Sequence, residues 1–217
     1  MSWNKYQYLK KIFNPQKGKV KFDRVIAREL INIAYDEAED LSIKSLLKFL
    51  FSYDMKNFSN AFKHRKIIIT NFTTREDHKN LIDQVSKKFD NNSVCQLSKF
   101  KVVFRPSVKN LYLSILECKN YFATDLKLKH VLYIISSLTH YRNVEDSLKK
   151  SIDFDIKGIK YVALNSAIGF EALFCQILSS YTDVSVYSLT HANAYVNYKN
   201  FKPLDNINGE NITATNV

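Results

Sequence analysis

The chain has 217 residues, 46% hydrophobic and 13% aromatic, with four glycines and three prolines, which excludes a disordered chain. That length buries one substantial core, or one core plus a small helical appendage. Thirty-two lysines and arginines against 21 acids give +11, which favours anionic partners such as nucleotides, acidic sugars, nucleic acid or a membrane surface, although AT-rich coding would also yield a chain so rich in Lys, Asn and Ile.

Residues 1–13 mix Trp3, Tyr6, Tyr8, Leu9, Ile12 and Phe13 with Lys5, Lys10 and Lys11, before Asn14, Pro15 and Gly18 break the pattern. Such a segment either docks on its own domain or makes peripheral contact with anionic lipid. From Phe22 onward Val25, Ile26, Leu30, Ile31, Ile33 and Ala34 recur at helical spacing, and a second helix over 42–51 presents Leu46, Leu47, Phe49 and Leu50. Residues 1–62 therefore read as a helical N-terminal segment, separable from the remainder of the chain.

At His64 the pattern changes, and residues 63–204 read as a Rossmann-like α/β domain: a parallel sheet with helices on both faces. Residues 66–70 are a compact strand closed by Asn71, Phe72, Thr73 and Thr74, and 75–89 carry a helix with Leu81, Ile82, Val85 and Phe89 inward. Thr73 or Thr74 caps that helix, either as an ordinary cap or as part of a site for phosphate or carboxylate. Residues 90–93 are a turn, and 101–104 are the next strand, closed by Arg105, Pro106 and Ser107. Arg105 is placed either to grip an anion in bidentate fashion or to sit solvated beside a turn. Residues 108–122 continue as helix through Leu111, Leu113, Ile115, Leu116 and Cys118, with a strand left open by Tyr112 and the β-branched residues. Residues 126–138 are apolar and helical in length, 141–150 are polar and charged, and Asp153 and Asp155 read as a solvated loop.

Residues 159–193 organise the rest. A short apolar strand over 161–164 ends in Asn165 and Ser166, a nearly all-round apolar helix comes next, and a β-rich run over 184–189 ends in Thr190 and His191. This is a βαβ unit, whose strands lie parallel and whose ligands gather beyond the carboxyl ends. The strands over 66–70, 101–104, 161–164 and 184–189 are expected to share one sheet, with Asn71, Thr73, Arg105, Asn165, Ser166, His191 and Asn193 converging at its carboxyl edge. Gly169, in the first turn of the helix, leaves room for a ligand or another backbone. After His191 the chain turns polar, and 205–217 read as a tail or linker toward a second domain.

Cys95, Cys118 and Cys175 are odd in number and widely spaced, as reduced core thiols of a cytosolic protein are. No CxxC or metal-ligand spacing of histidines occurs, so neither a metal nor a cofactor is expected. No run reaches about 18 apolar residues and no signal-peptide core is present, so the chain is expected in the cytoplasm, free or against the inner face of the membrane.

The helical segment, the βα repeats, the strand ending in Thr190, His191 and Asn193, and the DNINGENIT run from Asp205 together resemble the N-terminal, acceptor-side half of a bacterial surface-polysaccharide glycosyltransferase of the two-Rossmann-domain (GT-B) type. In several such enzymes a His-Gly pair comes after a strand near the end of the first domain; here the pair is His191 and Ala192. The resemblance implies a role in capsule or lipopolysaccharide biosynthesis, a nucleotide sugar and a saccharide acceptor as partners, and His191 as base or as donor to the transferred sugar's phosphate. It also implies inactivity without a second domain and self-association through 203–217. The competing reading is a non-enzymatic basic α/β module that binds nucleic acid or a membrane-associated partner.

Overall fold

A computed structural model describes residues 2–15, 20–35, 37–38, 41–70, 76–90, 94–97, 99–152, 158–164 and 169–189. The chain opens with helices α1 (Ser2–Ile12), α2 (Phe22–Val25), α3 (Ala27–Ala34) and α4 (Ile43–Leu46), then a 3-10 turn (Lys48–Leu50), strand β1 (Phe51–Tyr53) and helix α5 (Lys56–His64). Next come β2 (Ile67–Thr70), α6 (Glu76–Ser86), β3 (Val94–Leu97), β4 (Val102–Phe104) and α7 (Val108–Cys118). A second 3-10 turn (Lys119–Ala123) leads to the long α8 (Leu128–Ser151), then β5 (Lys160–Leu164), α9 (Gly169–Tyr181) and β6 (Ser185–Leu189).

Four strands form a parallel sheet in the order β3-β2-β5-β6. Ile68 stands opposite both Cys95 and Tyr161, and Tyr161 opposite Val186. The central strand β2 is buried along its whole length, as its unbroken IIIT run requires of a strand covered on both faces. On one face Ile67, Ile69 and Val162 meet Leu81, Ile82 and Val85 of α6. On the other, Ile68, Tyr161 and Val186 join Phe58 of α5 and Leu173, Phe174 and Ile177 of α9. The same cluster takes in Tyr6 and Leu9 of α1 and Leu30 and Ile33 of α3, so the residues on either side of position 62 share one core.

The run over 101–104 is a strand but not a member of this sheet, which corrects the expected four. β4 pairs antiparallel with β1, Phe51 opposite Phe104 and Tyr53 opposite Val102, in a separate two-stranded ribbon. Its burial alternates, with Val102 and Phe104 exposed, as a strand covered on one side does. β3 takes the fourth place in the sheet.

Polar side chains of a helix hold β1 and the segment leading into it. The polar run over 141–150 is the second half of α8, with Arg142, Asn143 and Ser147 buried. Ser136, His140, Asn143 and Ser147 fall on one stripe at helical spacing. Ser136 Oγ accepts the Phe49 N–H and donates to the Ser45 carbonyl, both at 3.2 Å; Asn143 Nδ2 donates to the Phe49 carbonyl at 2.8 Å; the hydroxyls of Ser52 and Ser147 lie 2.8 Å apart. Each buried backbone group met this way avoids a penalty of roughly 1–3 kcal/mol.

Gly169 opens α9 with φ +70, while a Cβ built on it would meet nothing nearer than the Tyr141 hydroxyl at 3.9 Å. Left-handed backbone, rather than close approach, therefore requires glycine here. Gly169→Ala should cost about 1–2 kcal/mol, read as a lower urea midpoint with an unchanged slope.

Candidate functional site

Where α3, α4, β1, β4, α8 and the start of α9 meet, they enclose a cavity of about 480 Å³. Phe51 and Tyr53 of β1 form one wall and Phe170 another, with Tyr53 edge-on to Phe170 at 5.0 Å and to His140 at 5.2 Å between ring centres. Lys44 and Lys48 contribute its cationic groups. Phe170 lies in the first turn of α9, the helix between β5 and β6.

Glu29 lines this cavity at 2% exposure. Its Oε1 accepts the Tyr141 hydroxyl at 3.2 Å, and its Oε2 has no hydrogen-bond partner among the described residues. Ser137 Oγ, on the same cavity, is equally buried and without a partner there. Nearly all buried polar atoms find partners, so two orphaned oxygens in one aromatic-walled cavity mark a place built to hydrogen-bond something.

The titratable groups are tuned by burial. Burial drives the Glu29 carboxyl above the usual carboxylate value, against the pull of Lys48, a backbone N–H, the Tyr141 hydroxyl and Arg28. Glu171, two residues past Gly169, is raised for the same reason, with Arg28 again opposing. Burial lowers His140, with Lys48 adding to the effect and the carbonyls of Phe51 and Lys48 opposing it. In the neutral ring Nδ1–H donates to the Phe51 carbonyl at 2.9 Å, which leaves Nε2 unprotonated. Tyr141 is pushed far up by burial and by Glu29, and so stays a donor. A carboxyl moved toward neutrality beside a fixed donor, in an apolar wall, is an arrangement suited to taking up or holding a proton.

Of the residues expected to form the site, Asn71, Thr73, Asn165, Ser166, His191 and Asn193 lie outside the described residues. Arg105 is described, and it does not come after a strand of the parallel sheet. It ends β4, where its N–H donates to the Leu50 carbonyl at 2.8 Å and its Nη1 to Ser147 Oγ at 2.9 Å. It borders a separate small cavity of about 210 Å³ with Asn143, Asp146 and Lys150. The edge shared by β2, β5 and β6 is thus not the edge at Arg105, because β4 pairs with β1 outside the sheet.

Glu29, Ser137, His140, Tyr141, Tyr53 and Phe170 do not stand out as site residues in the sequence. Glu29 carries a signal: it is the one acid within the apolar repeat of α3, where Ala27, Leu30, Ile31, Ile33 and Ala34 are buried. His140 and Ser137 carry none, since the apolar pattern of α8 fades at that point. Compared with protein-family models, curated proteins and solved structures, the chain matches none.

Proposed function

We propose that the chain is the acceptor-side α/β domain of a surface-polysaccharide sugar transferase, with the Glu29 cavity receiving the acceptor saccharide. The observation that carries this reading is Glu29 itself, a buried carboxyl with one oxygen unpartnered among the described residues, in a cavity walled by Phe51, Tyr53 and Phe170. Aromatic faces suit the C–H faces of a sugar ring, a carboxylate suits its hydroxyls, and Lys44 and Lys48 suit a carboxylate or phosphate substituent. Strand order supports a doubly wound, Rossmann-like reading. The chain passes from β2 outward to β3 on one side and from β5 outward to β6 on the other, so the order reverses between β2 and β5, the usual place for a nucleotide.

In this reading Glu29 acts as general base. It takes the proton of the acceptor hydroxyl as that oxygen bonds the anomeric carbon of the donor. The bond from that carbon to the nucleoside diphosphate breaks with its electron pair left on the phosphate. His191, by the family resemblance, serves the departing diphosphate. A carboxyl raised above its ordinary value is a stronger base than a solvated one.

The test is saturation-transfer NMR on the full chain with neutral, uronic-acid and phosphorylated saccharides. Acidic saccharides should bind, with Phe170→Ala and Lys48→Ala each weakening them about tenfold, roughly 1.4 kcal/mol. No saccharide binding, or binding indifferent to both variants, overturns the reading. Binding only to RNA or DNA, falling steeply with salt, puts the non-enzymatic basic module in its place.

A further inference from the structure

Helix α7 is built inside out. Its buried side is Asn110, Ser114, Glu117 and Cys118, and polar bonds hold it to α8: Asn110 Nδ2 donates to Asn143 Oδ1 at 2.9 Å and to Asp146 Oδ2 at 2.8 Å, and Arg142 pairs with Glu117. Its outward side carries Val108, Tyr112 and Ile115, which are 85%, 60% and 40% exposed. These three stand at i, i+4 and i+7, one continuous stripe. Phe104 precedes the stripe, and Phe122, Leu128 and Leu132 lie beyond it, all exposed. An amphipathic helix that turns its polar face inward and its apolar face outward marks an interaction surface.

Charge says what kind. Over residues 99–132 the chain has six lysines and one arginine against two acids, Glu117 and Asp125, and Glu117 is buried. Lys101, Lys109, Lys119 and Lys127 are exposed around the stripe. A second copy docked there would set one lysine rim against another, whereas anionic headgroups complement the rim while the stripe enters the acyl boundary. We propose that the outer face of α7, with Phe122 and the start of α8, docks the protein onto anionic lipid bilayers. The attachment is peripheral, since no helix among the described residues is long and apolar enough to cross a membrane. It also differs from the attachment through the N-terminus expected from the sequence: α1 turns Tyr6 and Leu9 into the core, and Phe13 just beyond it is buried too.

The experiment is co-sedimentation of the full chain with vesicles of phosphatidylcholine alone and of phosphatidylcholine with phosphatidylglycerol. Binding is expected to the anionic vesicles only. Val108→Ser with Ile115→Ser, and separately Lys109→Glu with Lys119→Glu, should each lower the partition about tenfold or more, with unchanged thermal melts because all four positions are exposed. Lys10→Glu with Lys11→Glu on α1 should leave binding in place. The proposal fails if anionic vesicles are not bound, or if the α1 pair abolishes binding while both α7 pairs keep it. It also fails if light scattering shows a dimer that Val108→Asp dissociates.

Discussion

Arg142→Ala is expected to destabilise the protein by about 3–5 kcal/mol, enough to unfold much of the population of a marginally stable domain. Arg142 Nη2 lies 2.5 Å from Glu117 Oε1, with 10% of the arginine side chain and none of the glutamate side chain exposed. Its guanidinium also lies over the Phe22 ring, 4.5 Å from the centre, and the Glu117 carbonyl accepts the Asn14 N–H at 3.2 Å. The pair therefore ties α7 and α8 to α2 and to the segment leaving α1. Removing the arginine strands a carboxylate where water cannot reach it. Beside that carboxylate, burial and the Glu117 charge already hold the Cys118 thiol well above its ordinary value. Glu117→Ala should cost a similar amount. Replacing both, Arg142→Met with Glu117→Leu, should recover most of the loss, because an apolar pair of similar volume escapes the desolvation that the ion pair carries. Urea denaturation of the three variants decides it. If Arg142→Ala lowers stability by less than about 1 kcal/mol, the pair behaves as a solvated surface bridge instead.

The same interface shows why part of the fold cannot be read from the sequence. β2 and β5 are legible because a strand covered on both faces writes itself as an unbroken apolar run, as Ile67, Ile68 and Ile69 do, and β6, interrupted by Ser185 and Ser188, is legible by its valine, tyrosine and leucine. β3 contains Gln96 and is too mixed to stand out; β1 is three residues long, shorter than any periodicity can resolve. β4 is recognisable as a strand, but its partner is not, since pairing is a long-range choice. Its alternating burial, with Val102 and Phe104 outward, becomes informative only once β1 lies beside it. The apolar residues Leu111, Leu113, Ile115, Leu116 and Cys118 mark α7 as a helix without showing which side is buried, and of these Cys118 alone is fully buried. The helix is turned so that Asn110 and Glu117 meet Asn143 and Arg142, a polar match between two helices that neither sequence stretch shows alone. Similarly, the Glu29 cavity draws on residues from Glu29 to Phe170, and only the lone acid in the α3 repeat hints at it.

Glu29→Gln should make the protein more stable at pH 8 while leaving it nearly unchanged at pH 4 and below. The sign comes from proton binding. In the unfolded chain the Glu29 carboxyl titrates near its ordinary 4.5, and in the folded chain burial holds it higher. Below 4.5 both states keep the proton, and the folded state loses nothing. As pH rises from there through the folded value, the unfolded chain releases its proton first and is favoured, by about 1.4 kcal/mol for each unit separating the two. Glu171 is displaced the same way and adds to the slope. His140 opposes both: its folded value lies below 6.5, so its contribution is intact above that pH and fades as pH falls through the folded value. Substituting Glu29 alone isolates one of these contributions, because glutamine accepts the Tyr141 hydroxyl through its amide oxygen yet carries no charge to bury. In a chain of this size each kcal/mol gained corresponds to roughly 2–4 °C in melting temperature, so the variant should melt above the parent at pH 8. In the proposed reading the same substitution removes the base, so a gain in stability should accompany loss of transfer once the donor-side domain is supplied, as at sites held in a strained state for function. Melting temperatures of parent and variant that run parallel from pH 4 to 8 would mean that Glu29 is solvated, and would remove it from the site.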